Sequence, residues 1–185
     1  AGCRLLGVLR RLMMSDQTKI FNVLFLCTGN SARSALAEAY MNAKLGDRFR
    51  AYSAGSHPAG RVNPYALDLL ASVDIPTSYL RSKSWDEFAL PDAPHMDFLF
   101  TVCDDAAGEV CPVWPGHPMN AHWPFEDPAS FVGSPDATRK KFAEVFVQIR
   151  RRIDLFAALP LRSLDAMALK KTLVDMGKRE TPDVG

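Results

Sequence analysis

The run Phe21-Asn22-Val23-Leu24-Phe25-Leu26 carries an apolar, β-prone stretch straight into Cys27, and Arg33 follows that cysteine by six positions. Between them lie Thr28, Gly29, Asn30, Ser31 and Ala32, and Ser34 comes next. Beyond the loop, Ala35-Leu36-Ala37-Glu38-Ala39-Tyr40-Met41 is built of good helix formers. The order is strand, tight loop, helix. Such a loop turns a series of backbone N–H groups and a helix N-terminus toward one point, which suits a tetrahedral oxyanion. The positive field of that helix end and of Arg33 is expected to lower the Cys27 pKa and hold a thiolate. A nucleophile inside an anion cradle implies attack on the anion's central atom.

Each loop residue type has a use there. Arg33 presents a planar fork that grips two oxygens at once. Gly29 allows close backbone approach or positive φ, and Asn30 is the next best residue for left-handed geometry. Ser31 or Ser34 can donate a hydrogen bond to a thiolate or cap the helix. The spacing alone would also fit a core cysteine and a surface arginine. The preceding strand, the Gly-Asn pair and the following helix favour the anion loop, with residues 28–34 as its oxyanion-binding segment.

Further along, Phe49-Arg50-Ala51-Tyr52-Ser53-Ala54 alternates and ends at Gly55, predicting a second strand. Asn63-Pro64 opens a helix through Leu67, Leu70 and Ala71. Phe98-Leu99-Phe100-Thr101-Val102 reads as a strand buried on both faces. A proline-rich stretch with a short patch near Ala121-His122-Trp123 leads to a helix from Pro135-Asp136, where Phe142, Val145, Phe146, Ile149, Ile153 and Phe156 recur at helical steps. Strands separated by helical segments predict a parallel sheet with helices on both faces. Ligands of such sheets sit at the carboxyl ends of the strands. Cys27, Cys103 and the loop after Trp123 share that edge. The basic runs Arg139-Lys140-Lys141 and Arg150-Arg151-Arg152 are read as the solvated side of the last strong helix.

Two further thiols follow the third strand, Cys103 directly and Cys111 eight residues on. Near an activated cysteine they suggest a relay, in which a thiolate attacks the sulfur adduct and passes the oxidation outward as a disulfide. The alternative is that both are small core residues. Zinc is disfavoured, because the pair lacks Cys or His partners at matched spacing. His117 and His122 read as loop residues. Asp127, before Pro128, can protonate a leaving oxygen, with Glu126 as the competing choice and a plain turn as the structural alternative.

With 22 basic and 21 acidic residues in a chain of 185, the net charge is +1. That is no electrostatic footprint for nucleic acid or an anionic membrane, and no apolar run approaches a membrane span. Four irregularly spaced cysteines do not make a secreted disulfide framework; reduced, cytoplasmic thiols are the expectation. Residues 1–18 are expected to be a disordered leader or added extension before a natural start at Met13 or Met14, with a short amphipathic anchor as the alternative. Residues 19–160 form the domain, and 161–185 a peripheral helix and tail.

The stretch Cys27-Thr28-Gly29-Asn30-Ser31-Ala32-Arg33-Ser34 resembles the loop of the low-molecular-weight protein tyrosine phosphatase superfamily. More closely, it is similar to that of the thiol-dependent arsenate reductases sharing that fold. The resemblance runs from about Lys19 to Ala158 and takes in Tyr52-Ser53-Ala54-Gly55, Thr101-Val102-Cys103, and His122-Trp123 leading to Asp127-Pro128. It implies a four-stranded parallel sheet with flanking helices, Cys27 as nucleophile, Arg33 as oxyanion clamp and Asp127 as general acid. It also implies a redox role for Cys103, Cys111 or both. The implied reaction is reduction of arsenate to arsenite, as in arsenic detoxification, with phosphate or sulfate as analogues of the substrate. The electrons come from thioredoxin or from glutathione with glutaredoxin, and no cofactor is tightly bound. The alternatives are hydrolysis of phosphomonoesters through a phosphocysteine, and a binding module without turnover. Three positions depart from the pattern. Ala32 stands where Cys is frequent, and Ala129-Ser130 stands where the phosphatases carry tyrosines. Some reductases bind potassium through residues resembling Asn30, Glu38 and Ser53, but this chain offers no equivalent of their further carboxylate.

Overall fold

A computed structural model describes residues 19–103, 114 and 116–178. The expected leader at 1–18, Cys111 and the end of the tail from 179 lie outside the described residues. The described elements are strands β1 (Phe21–Cys27), β2 (Phe49–Gly55), β3 (Phe98–Thr101) and β4 (Met119–His122), with helix α1 (Arg33–Leu45) after β1, α2 (Pro64–Ser72) after β2, and α3 (Pro135–Ala157) and α4 (Ala166–Lys178) after β4. The four strands form one sheet in the order β2-β1-β3-β4, and every pairing is parallel. The register sets Cys27 opposite Gly55 and Leu26 opposite Thr101. The sheet therefore brings the ends of β1, β2 and β3 together at one edge.

Alternation divides the strands between two unequal layers. Val23, Phe25, Ala51, Phe98, Phe100 and Ala121 face the larger core, with apolar residues of α1, α2, α3 and α4. Leu24, Leu26, Ala54 and Leu99 face a smaller cluster with Trp85, Phe88, Met96 and Trp114. The helical element described on that second face is the 3-10 turn Trp85–Phe88.

Local chemistry explains the elements that matter for the site. α2 starts where expected: the Asn63 side chain accepts from the Tyr65 N–H and Pro64 takes the first turn. α3 starts at Pro135 with Ser134 as its cap, accepting from the Ala137 N–H. All six apolar residues read from its periodicity are buried; each contributes about 1.5–3 kcal/mol against exposure. Arg152 departs from expectation. It lies on the buried face of α3, because it falls one turn from both Ile149 and Phe156. α4 buries Leu169, Leu173, Met176 and Gly177, and the Trp123 indole N–H donates to the Leu173 carbonyl at 3.0 Å. Among the described residues, no helix is long and apolar enough to cross a membrane.

Candidate active site

The segment between β1 and α1 is a loop whose carbonyls are held outward. Thr28 O accepts from His57 N, Gly29 O from Ala59 N, Ser31 O from Asn63 N and Ala32 O from Leu36 N. The peptide bonds are trans, and in a planar trans peptide the next residue's N–H points opposite the carbonyl. The amides of Gly29, Asn30, Ala32 and Arg33 therefore face the loop's interior. α1 adds its own uncapped N-terminus, since Ala32 offers no side-chain cap. Ser34 is neither cap nor observed thiol partner; its Oγ accepts from Asn30 Nδ2 at 2.9 Å. Asn30 takes the positive φ that the sequence suggested for this region, 44°. Gly55 presses on the loop so closely that a Cβ there would stand 2.4 Å from Thr28 O.

Arg33 begins α1 and leans across the loop mouth. Its Nη1 donates to the Phe125 carbonyl at 3.0 Å, and its Nη2 lies 3.4 Å from Asp127 Oδ2. Its Nε is buried with no hydrogen-bond partner among the described residues, the state of a donor reserved for a ligand. Of the two candidate acids, Asp127 is the one that lies beside Arg33. Glu126 is exposed and pairs with Lys141 at 3.1 Å, whereas Asp127 faces Arg33 and caps the 3-10 turn Pro128–Ser130 through Ala129 N–H. His122 pairs with Thr101 Oγ1 through Nδ1 at 2.9 Å. The next residue, Trp123, stacks on Phe100 with ring centroids 3.7 Å apart. These contacts fix the start of the acid-bearing loop.

Cys27 and Cys103 are both buried and both free thiols. Cys103 Sγ accepts from the Thr28 N–H at 3.2 Å and lies 3.5 Å from Thr28 Oγ1, so it sits at the entrance of the anion loop. It is also the neighbour that acts most strongly on Cys27. The direction of the Cys27 shift differs from the lowering expected from Arg33 and the helix end. Cys103 and burial push the Cys27 thiol far above its ordinary range, and the opposing pull of Arg33 does not compensate.

Beneath the loop runs a polar chain that the sequence left unconnected. Asn30 Nδ2 donates to Ser53 Oγ at 2.8 Å, and Ser53 Oγ donates to Glu38 Oε2 at 2.5 Å. Asn30 Oδ1 accepts from the Lys83 N–H at 2.8 Å. The Lys83 ammonium then donates to Glu38 Oε2 at 3.4 Å and to the Arg81 carbonyl at 3.3 Å. Burial holds the Glu38 carboxyl above its ordinary range, against the smaller downward pull of Lys83 and Ser53. The residues resembling potassium ligands do not fit an added ion: the Asn30 oxygen is turned to Lys83, Ser53 is spent on Glu38, and Glu38 already faces a cation. Sequence reasoning missed Lys83 and Arg152 as contributors to this region.

The low molecular weight phosphotyrosine protein phosphatase family model matches residues 22–171, and the chain belongs to that family. Within it, the chain is similar to proteins named arsenate reductase. One, from Oceanobacillus iheyensis, is 39% identical over 135 residues that span 73% of this chain and 94% of the relative. Among solved structures, the arsenate reductase of Archaeoglobus fulgidus aligns with a TM-score of 0.52 and 31% identity, covering 71% of this chain and 98% of that one. A thioredoxin-dependent arsenate reductase of Corynebacterium glutamicum aligns with a TM-score of 0.55 and 25% identity, covering 79% of this chain and 65% of that one.

Proposed function

We propose that this chain reduces arsenate to arsenite. The observation that carries the reading is the second thiol at the anion loop, where Cys103 Sγ accepts from the Thr28 N–H next to Cys27. Hydrolysis of a phosphoester needs only water after the nucleophile has attacked. Reduction needs a further sulfur, and here one stands at the same loop.

The reaction divides between these groups. Arsenate enters the loop and takes hydrogen bonds from the inward amides and from Arg33, whose buried Nε gains its missing partner. The loop amides and Arg33 stabilise the negative charge of the oxyanion and of the sulfur that attacks it. Cys27 Sγ, its proton passed to the oxyanion, attacks arsenic; an S–As bond forms, one As–O bond breaks, and Asp127 protonates the departing oxygen as water. Cys103, its proton passed to an arsenic-bound oxygen, then attacks Cys27 Sγ as a thiolate. An S–S bond forms, the S–As electron pair stays on arsenic, and arsenic(V) leaves as arsenic(III) in arsenite. Two thiols have been oxidised to a disulfide. Cys111 attacks Cys103 Sγ, freeing Cys27 and forming a Cys103–Cys111 disulfide, which a reduced dithiol then reduces back to two thiols. We assign thioredoxin as the donor, because an internal relay delivers a protein disulfide and a structural relative is named thioredoxin-dependent. Such dithiol chemistry belongs in a reducing cytoplasm.

The deciding experiment is arsenite formation by the reduced protein, supplied with thioredoxin and its reductase or with glutathione and glutaredoxin, with p-nitrophenyl phosphate hydrolysis as control. Turnover with thioredoxin supports the full reading. Turnover with glutaredoxin alone replaces the internal relay by an external thiol. Phosphate release without arsenite from either system makes the chain a phosphatase.

A further inference from the structure

We propose that Lys83 is a built-in cation of the anion loop, so that the protein works without a bound monovalent metal ion. The statement goes beyond the reaction and holds whichever oxyanion the loop turns over.

Lys83 is buried to the same degree as its partner: the two side chains of the Lys83–Glu38 pair are each 6% exposed. A charge so deep in a fold needs a compensating charge and hydrogen bonds. Glu38 alone would be a buried carboxylate in the middle of α1, directly behind the loop that must receive an anion. The ammonium neutralises it from within the chain. A solvent potassium ion could do the same for a carboxylate, but it would need oxygen ligands. Here those oxygens are already committed, with Glu38 Oε2 and the Arg81 carbonyl facing the ammonium and Asn30 Oδ1 bound to the Lys83 amide.

Lys83 is tied to the loop from its backbone as well. Its N–H holds Asn30, the residue at positive φ, and its carbonyl accepts from Gly55 N. Its neighbour Ser82 donates to the Gly29 carbonyl at 3.1 Å. The ammonium thus completes a circuit, Lys83 to Glu38 to Ser53 to Asn30 and back to Lys83, that encloses the turn of the loop. Lys83 touches no part of the oxyanion cradle's inner surface through its charge; it is a positioning residue acting through Glu38 and Asn30.

The test is thermal unfolding of the full chain in potassium chloride, sodium chloride and choline chloride at equal ionic strength, with phosphate inhibition of turnover measured alongside. A bound ion stabilises the native state in proportion to its concentration. The wild type should therefore show the same Tm in all three salts. Lys83→Met, which leaves Glu38 buried and uncompensated, should lose about 10 °C in Tm. It should regain part of that loss in potassium or sodium chloride but not in choline chloride. The Lys83→Met, Glu38→Gln double variant should recover most of the Tm and lose the salt response, which keeps the proposal open to test if the single variant does not fold. Potassium-specific stabilisation of the wild type would overturn the proposal. So would a Lys83→Met protein with unchanged Tm and unchanged phosphate inhibition. The Tm readouts need no turnover, so their outcome is distinguishable from a failure of arsenate reduction.

Discussion

Arg152 Nη1 donates to the Pro124 carbonyl at 3.2 Å, with its guanidinium 4.6 Å from the centre of the Phe125 ring. The next carbonyl, that of Phe125, accepts from Arg33. Two arginines, one from α3 and one from the anion loop, therefore grip successive peptides of the segment that carries Asp127. Replacing Arg152 by Met should lower kcat by roughly 10-fold to 100-fold with little change in KM, as expected when a catalytic group is displaced by about an ångström. Arg152→Lys should recover part of the rate. Steady-state kinetics on arsenate would measure both, and an unchanged kcat in Arg152→Met would remove the arginine from this role.

Removing Cys103 should unburden Cys27. Cys103 is the largest upward influence on that thiol, so Cys103→Ala should move the pH midpoint of Cys27 alkylation by iodoacetamide downward. The same variant should form one adduct per protein and stop. The sign of the stability effect follows. The unfolded thiol ionises near its ordinary value of 9.0, while the folded wild type keeps the proton above that pH. Wild-type stability is thus fully present below pH 9.0 and falls as the pH rises further. Urea unfolding at two alkaline pH values should show a smaller decline for Cys103→Ala.

Asp127→Asn and Glu126→Gln should separate cleanly. The first removes the proton donor aimed at the loop, a loss of about 10² to 10⁴ in rate where the leaving oxygen needs protonation. The second removes only an exposed partner of Lys141, worth about 0–1 kcal/mol of stability, and should leave initial rates near wild type. Equal effects of the two substitutions would reverse the assignment of the acid.

Gly55→Ala places a methyl group 2.4 Å from the Thr28 carbonyl, and that backbone atom cannot swing aside. The cost in folding stability should be about 1–3 kcal/mol, read from urea unfolding. Phosphate should also inhibit the variant more weakly, because the displaced peptide is the one that turns the Gly29 amide inward.

The parts legible in the sequence were those set by neighbours along the chain. The strand into Cys27, the helix after Arg33, the Asn63-Pro64 start and the stripe of α3 each depend on a few adjacent residues, and each stands where the pattern put it. Cys103 was legible at one remove, because a parallel sheet brings the ends of β1 and β3 to one edge. What the sequence hid depends on distant partners. Lys83 sits between two serines in a polar loop, and its burial exists only because Glu38, 45 positions away, faces it. Arg152 was masked by its own run of arginines, where charge outweighed its place on the helical stripe. The protonated Cys27 was missed for a related reason. The local field of Arg33 was visible, while the opposing thiol arrives from the end of another strand.

The docking of α4 on β4 settles how this short sheet ends. The Lys170 ammonium donates to the Asn120 carbonyl of β4, and Gly177 lies so near the His122 carbonyl that no side chain could fit between them. An outermost strand normally offers its unpaired backbone to any passing chain. Here that template is covered by the same helix whose Leu173 carbonyl receives the Trp123 indole. A chain cut before Ala166 would keep every residue of the anion loop, yet it would expose an adhesive strand beside the acid-bearing segment, and self-association would compete with folding.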